Sequence, residues 1–280
     1  MEAIAILLYA AWPLMSVRRP PARRHSSPPG WERARQKKPK AGPTNASTPV
    51  DPMLPCRAVL VSNPGVLAGK RYISRSDWQR AGSADPLVSE ANIYIYKSVE
   101  LEQEYIDDGH KVGPREHREL ARDLARVRNR INRLWRGPQS NGRLLNIDWH
   151  IWTVGQVCRR FNWRWLGNAR WRGHVAAIFS FAPKPRQRTH SRIGHFLAAM
   201  AGRVWLDPAS GQVMQVRFHN LRPVRYGWGL LAIFHRVRGV FTLRRLPGGW
   251  FYHHLSLQLD RRELWRHWRG RIEKFYLPAK

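Results

Sequence analysis

Alternating hydrophobic and polar positions run through much of the C-terminal half of the chain and indicate β-strands. The clearest case is the segment 202–213, where an alternating run reaches the sequence DPASG at 207–211 and then resumes. In such a turn proline presets the backbone, aspartate bonds its own backbone, and glycine accepts a positive φ. The segment therefore predicts a β-hairpin. The same pattern recurs towards the C-terminus and predicts a mostly antiparallel β architecture.

Further strands follow from the same criteria. The alternation over 92–107 predicts one long strand, and the sequence DDGH at 107–110 predicts a hairpin-type turn after it. Gly167-Asn168 predicts a turn between two aromatic-rich strands. One further strand is predicted around Trp205. The others cover residues 161–166, 171–181, 212–221, 230–237, 240–245, 250–259 and 269–276.

Helical spacing is clear in one segment, 114–137, which begins with proline and ends at Gly137-Pro138. Its apolar residues are spaced four, three, four and three apart and form one stripe, namely Leu120, Leu124, Val127, Ile131 and Leu134. Shorter helices are predicted near 153–160 and 191–200. Strands thus outnumber helices, and the predicted fold class is α+β, dominated by an antiparallel sheet.

The chain divides into three predicted parts. Residues 1–17 form an apolar, signal-like or anchor-like segment, although no positive charge precedes it and a wrongly assigned start codon would give the same pattern. Residues 18–55 are rich in Pro, Arg and Ser and predict a disordered basic linker. Residues 56–280 hold the periodic segments and predict a single domain. The two cysteines, Cys56 and Cys158, allow one disulfide or none.

Positive charge changes this picture most. The chain has 49 Lys and Arg against 19 Asp and Glu, a formal net charge of +30. From Ala125 onward there are 30 basic residues and five acidic ones. An anionic partner would relieve the self-repulsion of such a chain, and the candidates are nucleic acid, anionic lipid head groups or an acidic protein. Genome composition rich in Arg codons explains the excess equally well.

Catalytic signatures are missing from the sequence. It contains no G-x-S-x-G elbow, phosphate-binding loop, H-E-x-x-H or dinucleotide fingerprint. The neighbouring His253 and His254 would point to opposite faces of a strand, so they do not form a metal pair. We therefore expect no enzyme activity, no catalytic residues, no cofactor and no metal site.

Aromatic and basic residues alternate in several segments, including FNWRWLG at 161–167 and LWRHWR at 264–269. Arginine beside tryptophan suits phosphate recognition, and it also suits a membrane–water boundary. Simple alternation between the inside and outside of a β core is the third explanation. The candidates for an anion-binding surface are Arg164, Arg172, Arg266 and Arg269.

Several of these segments, in the same order, resemble a pattern in uncharacterised bacterial envelope proteins of the acidobacterial type, which are related to the outer-membrane lipoprotein-sorting (LolA/LolB-like) fold. The resemblance spans about 92–276 and rests on FNWRWLG (161–167), WRGH (171–174), FSFAPKP (179–185), GRVWLDP (202–208), GWGLLA (227–232) and GGW (248–250). It implies an exported half-barrel, in which a curved antiparallel sheet wraps around helices. It also implies an apolar cavity for acyl chains, with candidate lining residues Trp163, Trp165, Phe179, Phe181 and Trp205.

The sequence and the resemblance together predict a non-enzymatic protein of the periplasm or cell envelope. It would bind a lipid or acylated ligand in an apolar concavity and present its basic Arg/Trp surface to an anionic membrane. A nucleic-acid-binding protein that uses the same surface is the alternative, as is a structural envelope component with no small ligand.

Overall fold

A computed structural model describes residues 51, 53–57, 72–80, 87–96, 99–107, 110–135, 144–147, 150–187, 192–226, 232–246, 249–263 and 266–278. The predicted signal-like segment at 1–17 lies outside these residues, as does most of the predicted linker. The linker's end forms a 3-10 turn, Leu54–Arg57. No helix among the described residues is long and apolar enough to cross a membrane.

Fourteen strands and three α-helices make up the described structure. The helices are α1 (Pro114–Leu134), α2 (Val154–Cys158) and α3 (Arg192–Leu197). The strands are β1 (Tyr72–Arg80), β2 (Leu87–Tyr96), β3 (Val99–Asp107), β4 (His110–Lys111), β5 (Leu144–Ile147), β6 (His150–Thr153), β7 (Phe161–Trp171), β8 (His174–Pro183), β9 (Met200–Leu206), β10 (Val213–Asn220), β11 (Val224–Tyr226), β12 (Ala232–Leu246), β13 (Gly249–Glu263) and β14 (Arg266–Pro278).

Twelve of the strands form one antiparallel sheet in the order β4-β3-β2-β1-β14-β13-β12-β10-β9-β8-β7, with β11 paired to β12. β5 and β6 form a separate hairpin. The first and last strands, β1 and β14, pair in the middle of the large sheet. The edge strands β4 and β7 do not pair with each other, so the sheet is open. The predicted fold class is confirmed: α+β, with an open, mostly antiparallel half-barrel sheet, one long helix and two short ones.

The predicted long helix is confirmed as α1, which ends at Leu134, slightly before the predicted stop. Proline occupies its first turn, and the Glu116 carboxylate accepts a hydrogen bond from the Gly113 backbone N–H. The central residues of the apolar stripe are buried against β3 and form a small core of Val99, Leu101, Leu124, Val127 and Ile131. A hydrogen bond from the Tyr96 hydroxyl to Asn132 Oδ1, at 2.9 Å, adds a polar tie to β2.

The predicted DPASG hairpin is confirmed in its details. Asp207 Oδ1 accepts a hydrogen bond from Ala209 N at 2.9 Å, and the Asp207 carbonyl accepts one from Gly211 N at 2.8 Å. Gly211 has a φ of 69°, a conformation that glycine adopts without steric cost. The turn therefore joins β9 to β10. The predicted turn after Asp107 is also confirmed, because Asp107 pairs with His110.

Three predicted element boundaries are wrong. Residues 92–107 do not form one strand, because Tyr96 pairs with Val99 and the chain reverses between β2 and β3. Gly167 lies inside β7 at a register shift, with a φ of 113°, and the hairpin turn comes later. That turn contains Arg172 and Gly173, both with positive φ, as in the type I′ turns that match strand twist. Finally, β12 continues through Gly239 where two strands were predicted.

Candidate functional site: two faces of one sheet

The strand register assigns side chains to two faces of the large sheet, because residues directly opposite each other share a face. One row contains large apolar side chains on six strands. We call the surface that carries it the apolar face. The row consists of Trp165, Phe179, Val204, Val216, Phe241 and Leu255.

The neighbouring row points to the other face, since successive side chains in a strand alternate. Three of its members are exposed arginines on β7, β9 and β10, and we call Arg164, Arg203 and Arg217 the arginine row. Ser180 of β8 lies between Arg164 and Arg203 in the register. Arg203 and Arg217 are directly opposite each other. None of the strands from β7 to β12 contains Asp or Glu, so this half of the sheet has no acidic side chain to balance the row.

The apolar face extends to the open edge of the sheet, where its side chains meet solvent. Trp165 on the edge strand β7 is 39% exposed, whereas its partner Phe179 is fully buried. Leu166, at the bulge beside Trp165, is 40% exposed, and Val175 on β8 is 53% exposed. We call the neighbouring residues Trp165 and Leu166 the apolar edge. Exposed apolar side chains that adjoin a buried apolar face are candidates for ligand or partner contact.

Trp163 and Phe181 belong to the same face but form a packed aromatic group with Phe161. The ring centroids of Trp163 and Phe181 lie 5.4 Å apart, and those of Phe161 and Phe181 lie 5.2 Å apart. Trp163 donates a hydrogen bond from Nε1 to the Cys158 carbonyl at 3.1 Å. Cys158 also forms a disulfide with Cys56, which fastens α2 to the Leu54–Arg57 turn. This group therefore anchors β7 next to the apolar edge.

Trp205 does not join the other four cavity candidates. It is opposite Ile178 and Gln215 in the register, and therefore lies on the face that carries the arginine row. The Arg217 guanidinium lies over its ring, 5.3 Å from the centroid, and Trp205 is buried beneath it. The arrangement is a cation–π contact that holds Arg217 in place.

The four predicted anion-binding arginines are not brought together. Arg164 belongs to the arginine row, and Arg172 lies in the β7–β8 turn with its guanidinium 4.8 Å from the Trp171 centroid. Arg266 is opposite Glu263 at the start of β14. Arg269 donates to Asp260 Oδ2 at 3.2 Å and is therefore balanced by a carboxylate. The alternation in the sequence indicates that arginines lie on the surface of the sheet, but it does not show which of them already pair with a carboxylate.

Acidic side chains on β13 and β14 are engaged by local networks. Glu273 binds Ser256, His254 and Arg271, while Asp260 binds His267 and Arg269. Burial acts to raise the pKa of Asp260. The hydrogen bonds and charges of His267 and Arg269 outweigh it, so the pKa is below its ordinary value. Positive charge without a balancing acid is therefore concentrated on the β7–β12 half of the sheet.

A second basic group was missed by the sequence analysis. At the ends of the β7–β8 and β12–β13 hairpins, the rings of Trp171 and His174 lie 5.6 and 5.3 Å from that of Trp250. Arg245 Nη1 lies 3.1 Å from His174 Nδ1. These residues are far apart in sequence, and β9 and β10 lie between the two hairpins in the order of the sheet. Within the described residues, no three His, Cys, Asp or Glu side chains cluster as a metal site requires.

No model of a known protein family matches the chain, and no curated protein sequence matches it. Among solved structures, an outer-membrane lipoprotein-sorting protein domain from Vibrio parahaemolyticus is 11% identical over 74% of this chain and 83% of that chain, with a TM-score of 0.33. A LolA superfamily protein from Nitrosomonas europaea is 6% identical over the same 74% and 83%, with a TM-score of 0.34. A chain of the Pseudomonas aeruginosa MucA/MucB complex is 8% identical over 80% of this chain and 91% of that chain, with a TM-score of 0.22. TM-scores this low carry no argument about function, and the fold described above rests on the chain's own strand pairing.

Proposed function

We propose that this chain is a non-enzymatic cell-envelope protein that binds a lipid or acylated ligand on the apolar face of its open sheet. The ligand's acyl chain would lie along the apolar edge, and the arginine row would face anionic head groups. The proposal rests on the geometry of this chain.

The observation that carries the proposal is the apolar edge itself. Trp165 remains exposed although it lies on the face on which its partner Phe179 is fully buried, and Leu166 beside it is also exposed. Covering this edge with an acyl chain would remove apolar surface from water, at about 25 cal/mol per Å² or about 0.8 kcal/mol per CH₂ group. The arginine row lies on the opposite face, so acyl burial and phosphate contact would use different surfaces.

Binding of a fluorescent fatty-acyl probe in high salt tests the apolar part, because salt screens interactions between exposed charges. We expect saturable binding to the full chain that persists in high salt. Trp165→Ala should weaken it, since the substitution removes the largest exposed ring of the apolar edge. Leu221→Ala is the matched control, because Leu221 is 58% exposed but lies just after β10, outside the apolar edge.

Equal probe affinity in the Trp165→Ala and Leu221→Ala variants would remove the apolar edge from the proposal. No saturable probe binding at all would reject the lipid-binding function. Nucleic acid is then the alternative partner of the arginine row. Its mark would be that the logarithm of the binding constant falls steeply and linearly with the logarithm of salt concentration.

A further inference from the structure

Two hairpin ends meet at one corner of the sheet and form a mixed aromatic and cationic group. It consists of Trp171, Arg172 and His174 from the β7–β8 hairpin and Arg245 and Trp250 from the β12–β13 hairpin, and we call it the hairpin-end cluster. Arg245 is directly opposite Trp250 in the register. Each member contacts the next, in the order Arg172, Trp171, Trp250, His174, Arg245.

The cationic side chains of this cluster have no carboxylate partner among the described residues. The arginines that form ion pairs among the described residues are others, and none of these pairs includes Arg172, Arg244 or Arg245. β7 and β8 with the turn between them, together with β12, supply all of the cluster except Trp250, and they contain no acidic residue. Asp207, in the turn between β9 and β10, accepts a hydrogen bond from Ala209 N. Arg172 and Arg244 also act together on His253, whose pKa is lowered by burial and then by these two charges. The corner is therefore electropositive.

A buried donor is available at the same place. Trp250 is 4% exposed, and its indole Nε1 has no hydrogen-bond partner in the described structure. Buried N–H groups are nearly always satisfied by protein, water or ligand, so an unsatisfied one next to two hairpin ends points to a missing acceptor. The Trp250 backbone N–H, by contrast, is satisfied by Gln212 Oε1 at 3.1 Å.

We propose that the hairpin-end cluster is a binding site for a phosphate group. Arginine guanidinium groups present planar forks of N–H donors that match phosphate oxygens, and tryptophan N–H groups donate to the same kind of acceptor. Arg245, directly opposite Trp250 in the register, supplies the fork, and Trp250 Nε1 supplies the buried donor. Arg172 adds positive charge at the other end of the cluster. The phosphate could belong to a phospholipid head group or to a soluble phosphate ester, because both present the same phosphate oxygens to the site. This site is separate from the apolar edge, so neither proposal depends on the other.

The test uses the full chain and inorganic phosphate, titrated at constant ionic strength and followed by calorimetry. We expect saturable binding that weakens roughly ten- to hundredfold in Arg245→Gln, the range for loss of one charge-assisted hydrogen bond. Trp250→Phe keeps a ring but removes the N–H donor, and should weaken binding more modestly. Arg222→Gln is the control, because Arg222 is exposed and lies after β10, away from the cluster.

Two further arms identify the source of the phosphate. If glycerol phosphate binds as inorganic phosphate does and displaces the protein from phosphatidylglycerol vesicles, the site takes a lipid head group. If glycerol phosphate binds without displacing the protein from vesicles, the site takes a soluble ester. Both results support the site, provided that Arg245→Gln weakens the binding.

The proposal is overturned if phosphate does not bind at constant ionic strength, or if Arg245→Gln and Arg222→Gln bind it equally well. Should Trp250→Phe fail to fold, Arg172→Gln provides a second exposed variant for the same comparison. Acyl-probe binding in high salt should be unchanged in Arg245→Gln, which separates failure here from failure of the proposed function.

Discussion

The ring of Phe218 lies directly over Gly239 on the neighbouring strand. A Cβ atom added to Gly239 would lie 1.9 Å from Phe218 Cζ, which is far inside van der Waals contact. The same relationship recurs two strands away, where a Cβ on Gly202 would lie 2.8 Å from Phe181 Cζ. Phe181, Gly202, Phe218 and Gly239 follow each other in the register, so phenyl rings alternate with glycines across the apolar face.

This packing predicts a large effect of Gly239→Ala. The new methyl group would displace a phenyl ring that is buried in the main core, and overpacking of this kind typically costs about 1–3 kcal/mol. We expect the free energy of unfolding, measured by urea denaturation, to fall by that amount. Gly155→Ala is the matched control, because the nearest atom to its added Cβ is at 3.6 Å and α2 gains helix propensity. Equal stability of Gly239→Ala and the parent chain would contradict the packing described here.

Gly239 also shows why one strand boundary was not predictable. Glycine between alternating segments usually marks an interruption, and the sequence offers no sign that a ring from β10 fills the space above it. Gly167 was predicted to lie in a turn for a similar reason, since a bulge and a turn both favour glycine with a positive φ. By contrast, the DPASG turn and the stripe of α1 depend on contacts within a few residues, and their local signals were sufficient.

The candidate site was predictable only in part, for a related reason. Alternation along β7 and β8 correctly grouped Trp163 and Trp165, and register then adds Phe179 and Phe181 to the same face. The resemblance grouped Trp205 with these four residues, whereas the strand register puts Trp205 on the other face of the sheet. The hairpin-end cluster was missed because its two halves come from hairpins that are distant in sequence and are not neighbours in the sheet.

The disulfide gives a prediction about stability. Cys56 and Cys158 are 102 residues apart, and removing a native disulfide that closes a loop of this size costs about 2–5 kcal/mol. Reduction should therefore lower the urea midpoint of the full chain. The Cys56→Ser/Cys158→Ser variant should match the reduced chain and show no response to reductant. Identical midpoints with and without reductant would mean that the bond is absent or that its loop is already constrained in the unfolded state.

The arginine row predicts a conflict between stability and membrane binding. Arg203 and Arg217 are like charges directly opposite each other on neighbouring strands, an arrangement that destabilises a sheet. Arg203→Glu should replace this repulsion with an attractive pair and raise the free energy of unfolding by about 0.2–1 kcal/mol. The same change should weaken binding to vesicles that contain phosphatidylglycerol, because it reverses one charge in the row.

Arg222→Glu carries the same change in net charge at an exposed position outside the row, and it is the control for both measurements. If Arg203→Glu and Arg222→Glu weaken vesicle binding equally, net charge alone accounts for the attraction and the row has no special part. If Arg203→Glu also leaves stability unchanged, the two guanidinium groups do not repel each other as their register implies.

His253 links the hairpin-end cluster to pH. Burial is the largest cause of its lowered pKa, followed by the charges of Arg172 and Arg244 and a smaller effect of His254. The unfolded chain therefore takes up a proton on this residue at the ordinary pH of about 6.5, whereas the folded chain takes it up only at a lower pH. Stability from this residue is complete above that pH and is lost as the pH falls towards the folded pKa.

An NMR titration of the histidine resonances measures this directly, with His253→Gln used to assign the signal. We expect the His253 midpoint in the folded chain to lie below that of the urea-unfolded chain. Phosphate bound at the hairpin-end cluster would offset the positive charge of Arg172, so adding phosphate at constant ionic strength should move the midpoint upward. A midpoint at or above that of the unfolded chain would show that burial and these arginines do not lower the pKa of His253. A lowered midpoint that ignores phosphate would place the bound anion, if one binds, away from this corner of the sheet.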